Sequence, residues 1–254
     1  TSFPDFIGYL NDQQFFVGNT FQAGDNLNLT VSNSGTDSSN GHGGSQVAVI
    51  NSNSGTTGNQ ILFQHGCVLG DHATIQANNS GIYSGTNTNG GSNVGGMNLQ
   101  QIAIGDSTAP GTFSFFTGDY FNLIASNSGI DSSNGIGGDA VGTVSTDQIT
   151  FFTPANLGNH ANITITNSGN FSGNASATYV NIGSSGGCQL NSVSNFNVED
   201  NFTLNVTNHG INTGSGVGNY FIGDLITGQQ VTFQDNLIIG NKASITISNT
   251  GYSS

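Results

Sequence analysis

Arginine is absent from the sequence and lysine occurs once, at Lys242, against fourteen acids, so that 254 residues carry a net charge of −13. A surface this negative repels phosphate backbones and anionic lipid, which argues against nucleic acid and membrane surfaces as partners. With charged residues at 6%, ion-pair networks cannot stabilise the fold, and the exterior must be built from Asn, Ser, Thr, Gly and Gln. Such exteriors are frequent in secreted and cell-surface material. Long apolar runs are also missing: the longest, such as 113–116, are far too short to cross a bilayer. Cysteine is limited to Cys67 and Cys188, a number that permits one disulfide or two free thiols and supplies no metal-ligand spacing. The sequence opens at Thr1 with neither Met nor a charged-then-apolar leader, and so reads as a mature chain with an extracellular destination.

What is present is a repeat. A twelve-residue frame occurs at 24–35 (GDNLNLTVSNSG), 70–81 (GDHATIQANNSG), 118–129 (GDYFNLIASNSG), 158–169 (GNHANITITNSG), 199–210 (EDNFTLNVTNHG) and 240–251 (GNKASITISNTG). In each, a turn pair precedes three apolar residues at alternate positions, and Asn-x-Gly closes the frame. Alternation of this kind marks a strand with one buried face. The apolar triplets begin with Leu27, Leu29 and Val31 and end with Ala243, Ile245 and Ile247. Seventeen Phe and this phased pattern supply a core that a Gly/Ser/Asn-rich linker lacks.

Between frames lies an apolar strand carrying Phe at 60–63, 148–152 and 230–233, with looser versions at 113–116 and 193–196. A less regular strand follows each closing Gly after a Gly/Ser/Asn loop, at 46–50, 99–104, 140–144, 177–182 and 220–226. Each unit thus reads as three strands. Segments 24–44 and 118–138 match more closely than adjacent units do, which points to duplication of a two-unit block. Residues 1–23 precede the first frame, are rich in aromatics and contain Pro4, so they are expected to form an arm, cap or edge strand, with 24–254 as the repeat domain.

Two architectures use such a unit, a parallel β-solenoid of about six coils and a β-propeller. Identical phasing in every copy, small inward residues (Ala73, Ala77, Ala125, Ala161, Ala243) and the lack of a blade-closing motif favour a single-domain, all-β solenoid with long Gly/Ser/Asn loops. Asn33, Asn79, Asn127, Asn167, Asn208 and Asn249 would then stack as an internal ladder at a corner that the following Gly lets reverse.

The alternating strands ATIQANNSG (73–81) and ANITITNSG (161–169) resemble the β-solenoid repeats of bacterial surface proteins, the passenger regions of autotransporter and haemagglutinin-like adhesins. The resemblance covers about residues 60–254 and implies an extracellular, structural or adhesive role.

Enzymatic chemistry is not expected. Asp25, Asp71, Asp119 and Asp200 share a position with Asn159 and Asn241, so the site asks for a turn-forming side chain and not for a carboxylate. No Ser-His-Asp or Cys-His arrangement can be assembled locally, and no cofactor is implied. Calcium is the one ion with candidate ligands, Asp37 and Asp131 in the DSSNG loops. His72 and His160 share an outward position with Lys242, Asn26, Tyr120 and Asn201, which reads as a tolerant surface site. Outward Thr and Asn, such as Asn28/Thr30 and Asn162/Thr164, raise an ice-binding face as one alternative. Asn-x-Ser/Thr sequons at Asn28, Asn78, Asn162, Asn170, Asn174, Asn201 and Asn205 matter where the source glycosylates.

A solenoid's end coils expose unpaired backbone and apolar core. The last frame strand lies close to Ser254, and an arm made of Phe3, Phe6, Ile7, Tyr9 and Leu10 precedes the first frame. The expectation is that this arm covers a neighbour's last coil, giving a self-partnering, head-to-tail filament or matrix fibre. A monomeric adhesin binding glycans through Tyr83, Tyr120 or Tyr179 is the alternative.

Overall fold

The computed structural model describes residues 6–8, 14–40, 46–48, 59–86, 92–96, 100–134, 139–142, 147–174, 179–183, 188–215, 219–222 and 230–254. Among them there is no helix. The strands of the first coil are β1 (Phe6–Ile7), β2 (Phe15–Val17), β3 (Phe21–Ala23) and β4 (Asn28–Asp37). Each later coil repeats the set: β5 (Gln46–Val47), β6 (Ile61–Phe63), β7 (Cys67–Leu69) and β8 (Thr74–Tyr83); β9 (Asn93–Val94), β10 (Ile102–Ile104), β11 (Phe115–Thr117) and β12 (Asn122–Asp131); β13 (Asp139–Val141), β14 (Ile149–Phe151), β15 (Ala155–Leu157) and β16 (Asn162–Phe171); β17 (Tyr179–Ile182), β18 (Leu190–Ser192), β19 (Phe196–Val198) and β20 (Thr203–Asn212); and β21 (Asn219–Ile222), β22 (Val231–Phe233), β23 (Leu237–Ile239) and β24 (Ser244–Ser253). Equivalent strands pair in parallel with the coils on either side, giving four six-stranded sheets. The protein is a parallel β-solenoid; its units stack in sequence and do not radiate as propeller blades.

The fourth strand of each coil carries the frame, and its register is unbroken: Asn33 faces Asn79, Asn79 faces Asn127, and so on to Asn249. Its alternate side chains enter a core shared with the second and third strands, where Ile61, Phe63, Ile75, Phe115, Leu123, Phe151, Ile163, Phe196 and Leu204 are fully buried. Phenylalanines form a spine through successive coils: Phe115 to Phe151 at 5.7 Å, Phe151 to Phe196 at 5.2 Å and Phe196 to Phe233 at 5.2 Å. The tilted and edge-on ring geometries are those that aromatic quadrupoles prefer. Cys67 sits in this core as a free thiol, its pKa pushed up to about 12 by burial, and Cys188 is also free.

The observed unit differs from the three-strand reading. It has a fourth strand, three residues long, between the Phe strand and the frame (β3, β7, β11, β15, β19, β23). The segments 113–116 and 193–196 feed this sheet through β11 (Phe115–Thr117) and β19 (Phe196–Val198). Residues 99–104 are likewise reassigned: β10 (Ile102–Ile104) continues the Phe sheet, and the strand after the loop is β9.

The described residues of 1–23 follow the edge-strand alternative and do not form a separate arm. Phe6 pairs with Gln46, Phe15 with Ile61 and Phe21 with Cys67, so this segment supplies three of the first coil's four strands. Phe15 and Phe21 both pack on Phe63, a second aromatic cluster that joins the first two coils. Phe3, Tyr9 and Leu10 lie outside the described residues, and no separate structural role follows for Phe6 and Ile7 beyond their place in β1.

The closing Gly of the frame is not a turn. The strand runs on past it for two residues, placing Asp37, Tyr83, Asp131, Phe171 and Asn212 in one inward row. The glycine is required by close approach: a Cβ on Gly129 would stand 2.3 Å from the Val94 carbonyl oxygen, and one on Gly169 would stand 2.5 Å from that of Val141. The first-strand sheet lies against the long strand here and closes two smaller apolar clusters, one of Val47, Tyr83 and Val94 and one of Val141, Phe171, Val180 and Ile182.

Candidate functional site

A row of amides, buried from Asn33 to Asn208 and exposed at Asn249, runs between the main core and the smaller apolar clusters. Asn79 Nδ2 donates to Asn127 Oδ1 at 2.8 Å, Asn127 to Asn167 at 3.0 Å, Asn167 to Asn208 at 3.0 Å and Asn208 to Asn249 at 2.8 Å. Asn127, Asn167 and Asn208 are fully buried. Every one of these bonds points the same way, from donor to the coil nearer the C-terminus. Asn33 continues the row by register.

A second row, not recognised as functional from the sequence, braces the first. Gln60, Gln101, Gln148, Gln189 and Gln230 each stand immediately before the Phe-sheet strand. Gln101 Nε2 donates to the carbonyls of Ala77 (2.7 Å) and Ser126 (3.0 Å), tying the long strands of two coils together. Gln148 donates to Gln101 and accepts from Asn167; Gln189 and Asn208 exchange both bonds; Gln230 donates to Asn249. The signal was present, since Gln precedes the apolar strand at 60, 148 and 230, but its meaning depends on which corner that residue enters.

At the opposite corner the Gly-Asx pair builds another one-way ladder. Asp25 Oδ1 accepts the Asp71 N–H at 2.9 Å, Asp71 that of Asp119, Asp119 that of Asn159, Asn159 that of Asp200, and Asp200 that of Asn241. The preceding Gly leaves room for this side chain: a Cβ on Gly118 would stand 2.1 Å from Asp71 Oδ1. In the fifth coil Glu199 replaces Gly, and there the side chain beneath is an amide, Asn159, which donates to Glu199 Oε2 at 2.8 Å. The N–H bonds from Asn241 hold the Asp200 carboxyl below its ordinary value, with a smaller contribution from Lys242. This geometry matches the turn-forming role expected of these Asx positions.

The position after the Asx pair is more constrained than a tolerant surface site. Asn26, His72, Tyr120, His160, Asn201 and Lys242 all have left-handed backbones, with φ between 57° and 63°. His and Tyr are uncommon in that region. Here their rings stack in parallel, His72 on Tyr120 at 4.8 Å and Tyr120 on His160 at 4.6 Å. Both faces of Tyr120 are therefore stacked against imidazoles, and the residue remains 47% exposed. Tyr83 is fully buried, which corrects its reading as an exposed glycan contact, and the side chain of Tyr179 lies outside the described residues.

Asp37 and Asp131 are buried in strands, not displayed on loops. Asp37 Oδ1 accepts the Ser39 N–H at 2.8 Å and Asp131 Oδ1 that of Ser133 at 2.9 Å, while Oδ2 of each has no partner. They lie two coils apart with Tyr83 between them, so they do not converge on one ion, and no group of three metal-ligating side chains occurs among the described residues. Burial raises the Asp131 pKa against the lowering effect of Ser133. Within the outward rows raised as an ice-binding face, Asn162 donates to Asn122 at 3.3 Å and Thr164 Oγ1 donates to Asn162 Oδ1 at 3.5 Å.

Two outer features remain. A groove of about 500 Å³ runs along the long-strand sheet across five coils. The coil formed by 219–253 presents inward-type residues to solvent: Ile247 is 45% exposed, whereas Val206, its partner in the coil before, is fully buried. Fold and ladders together define a repeat β-solenoid with amide-braced layers. Compared with family models, curated proteins and solved structures, the chain matches none.

Proposed function

We propose that the protein is an extracellular structural element whose copies stack end to end into a filament or matrix fibre. What supports this reading is the stacking of coils in unbroken parallel register, a geometry that another coil of the same pattern continues over Leu237, Ile245 and Ile247. The first coil offers the matching inward set, Phe15, Phe21, Leu29 and Val31, only partly buried against its own core. A coil of the same kind satisfies both faces at once, joining the phenylalanine spine, the aliphatic rows and the ladders. A head-to-tail contact of this kind does not close on itself and so yields a fibre. The scarcity of charge and the Asn/Ser/Thr-rich exterior support a place outside the cell, in keeping with the adhesin-like strands.

Sedimentation and negative-stain microscopy of the 254-residue chain test the reading. Rods many coils long are expected at micromolar concentration, and Ile245→Asp with Ile247→Asp should return a folded monomer, because both side chains are already exposed in the isolated chain. A wild-type chain that stays monomeric across that range and at moderate salt overturns the proposal.

A further inference from the structure

The groove on the long-strand sheet is lined by two rows of side chains repeated coil after coil. One row is Ser34, Ser80, Ser128, Ser168 and His209; the other is Thr36, Ile82, Ile130, Asn170 and Ile211. Backbone glycine lies between them. Ile82 and Ile130 are each 44% exposed, large apolar surface left open beside hydroxyls. None of the lining residues is a carboxylate, lysine or arginine, although the molecule as a whole carries −13.

We propose that this groove binds a neutral, unbranched polysaccharide lying along the solenoid axis. Three properties select that occupant. First, the lining offers no charge to pair with, and the surrounding negative field opposes uronates, sulfated glycans and nucleic acid. Second, the same two side-chain positions recur at each strand spacing of about 4.8 Å over roughly 19 Å, with Ser at four of five places in one row and Ile at three of five in the other, so the groove suits a polymer whose chemistry repeats in step with the coils. An extended peptide advances about 3.3 Å per residue and falls out of step. It would also need free strand-edge N–H and C=O groups, whereas here those groups are engaged between coils. Third, an isoleucine-rich row that also holds Thr36 and Asn170, beside a row of serine hydroxyls, is complementary to a pyranose chain, whose C–H faces pack on Ile while its hydroxyls exchange bonds with Ser and Asn, the pattern of apolar lining with few fixed polar groups found in ligand sites. The inference goes beyond the filament reading and stands without it.

Calorimetric titration of the full chain with hexamers of β-1,4-linked glucose and of β-1,4-linked N-acetylglucosamine, and with a galacturonate hexamer, tests it. Saturable binding of at least one neutral hexamer is expected, with the galacturonate at least tenfold weaker. Ile82→Asp with Ile130→Asp should weaken binding at least tenfold. Ile82→Asn with Ile130→Asn should do so by a smaller factor and keeps the fold, since Asn170 already occupies this row. Val68→Asp with Phe116→Asp, at comparably exposed positions on the third-strand sheet, should leave affinity within twofold. No binding of either neutral hexamer, equal binding of galacturonate, or groove variants that alter only sedimentation, the mark of lateral contact between copies, would each overturn the proposal.

Discussion

Single side chains in this molecule act through rows. Removing Asn127 leaves Asn79 without its acceptor and Asn167 without its donor, both in a dry interior. Asn127→Ala should therefore cost about 3 kcal/mol, read as a drop in the urea midpoint at unchanged slope. Asp131 gives a pH-dependent counterpart. Its folded-state pKa is raised by burial, so both states hold the proton below the ordinary carboxylate range, and above it the folded state holds more. The stability it contributes is present in acid and lost as pH rises through the raised value. Asp131→Asn should stabilise the protein near neutrality and leave it unchanged near pH 4, as measured by urea melts at both; Asn212 shows that the row takes an amide. An equal effect of the substitution at both pH values would contradict this account. The Asn row was legible in the sequence because its register is set by an unbroken alternation. The Gln row was not, because one polar residue ahead of a three-residue strand carries no phase of its own.

At the scale of elements, the long strand was readable and the short ones were not. Three apolar residues at alternate positions, repeated in six frames, announce a buried face, whereas Cys67–Leu69 and Ala155–Leu157 hold too few residues to show a period. The first coil escaped notice for a related reason: Phe15–Val17 and Phe21–Ala23 precede the first frame and look like an aromatic lead-in until β6 and β7 pair with them. The glycine that closes each frame was misread as a turn because its need comes from a neighbouring backbone, which only the folded chain brings near. The spine gives this scale its prediction. Phe151 is fully buried between Phe115 and Phe196, so Phe151→Ala should cost about 3–5 kcal/mol. Phe233 touches Phe196 at one side and remains partly exposed, so Phe233→Ala should cost less than half as much in dilute chain, by thermal or urea melts. Equal losses would mean that the spine is not what distinguishes interior coils from the end coil.

For the whole molecule, the governing quantity is charge without counter-charge. Fourteen acids and one lysine leave the stack to be held by backbone ladders, amides and apolar layers while its surface repels itself. Added salt screens that repulsion within a Debye length of about 10 Å at 0.1 M. Raising sodium chloride from about 20 mM to about 500 mM should therefore raise the melting temperature and lengthen any end-to-end assemblies, measured by calorimetry and light scattering. A melting temperature that falls with salt would show that attractive charge pairs matter more than the sequence allows.

The uniform heading of the Asn bonds has an outcome for symmetry. Asn127 and its equivalents hand each proton toward the same terminus, and the Asx corner passes its N–H bonds with equal consistency. Two molecules joined by like ends would set amine against amine or oxygen against oxygen along the dry axis, so a twofold dimer at these faces is electrostatically frustrated. Any fibre grown from them is vectorial, with two distinguishable tips that elongate at different rates.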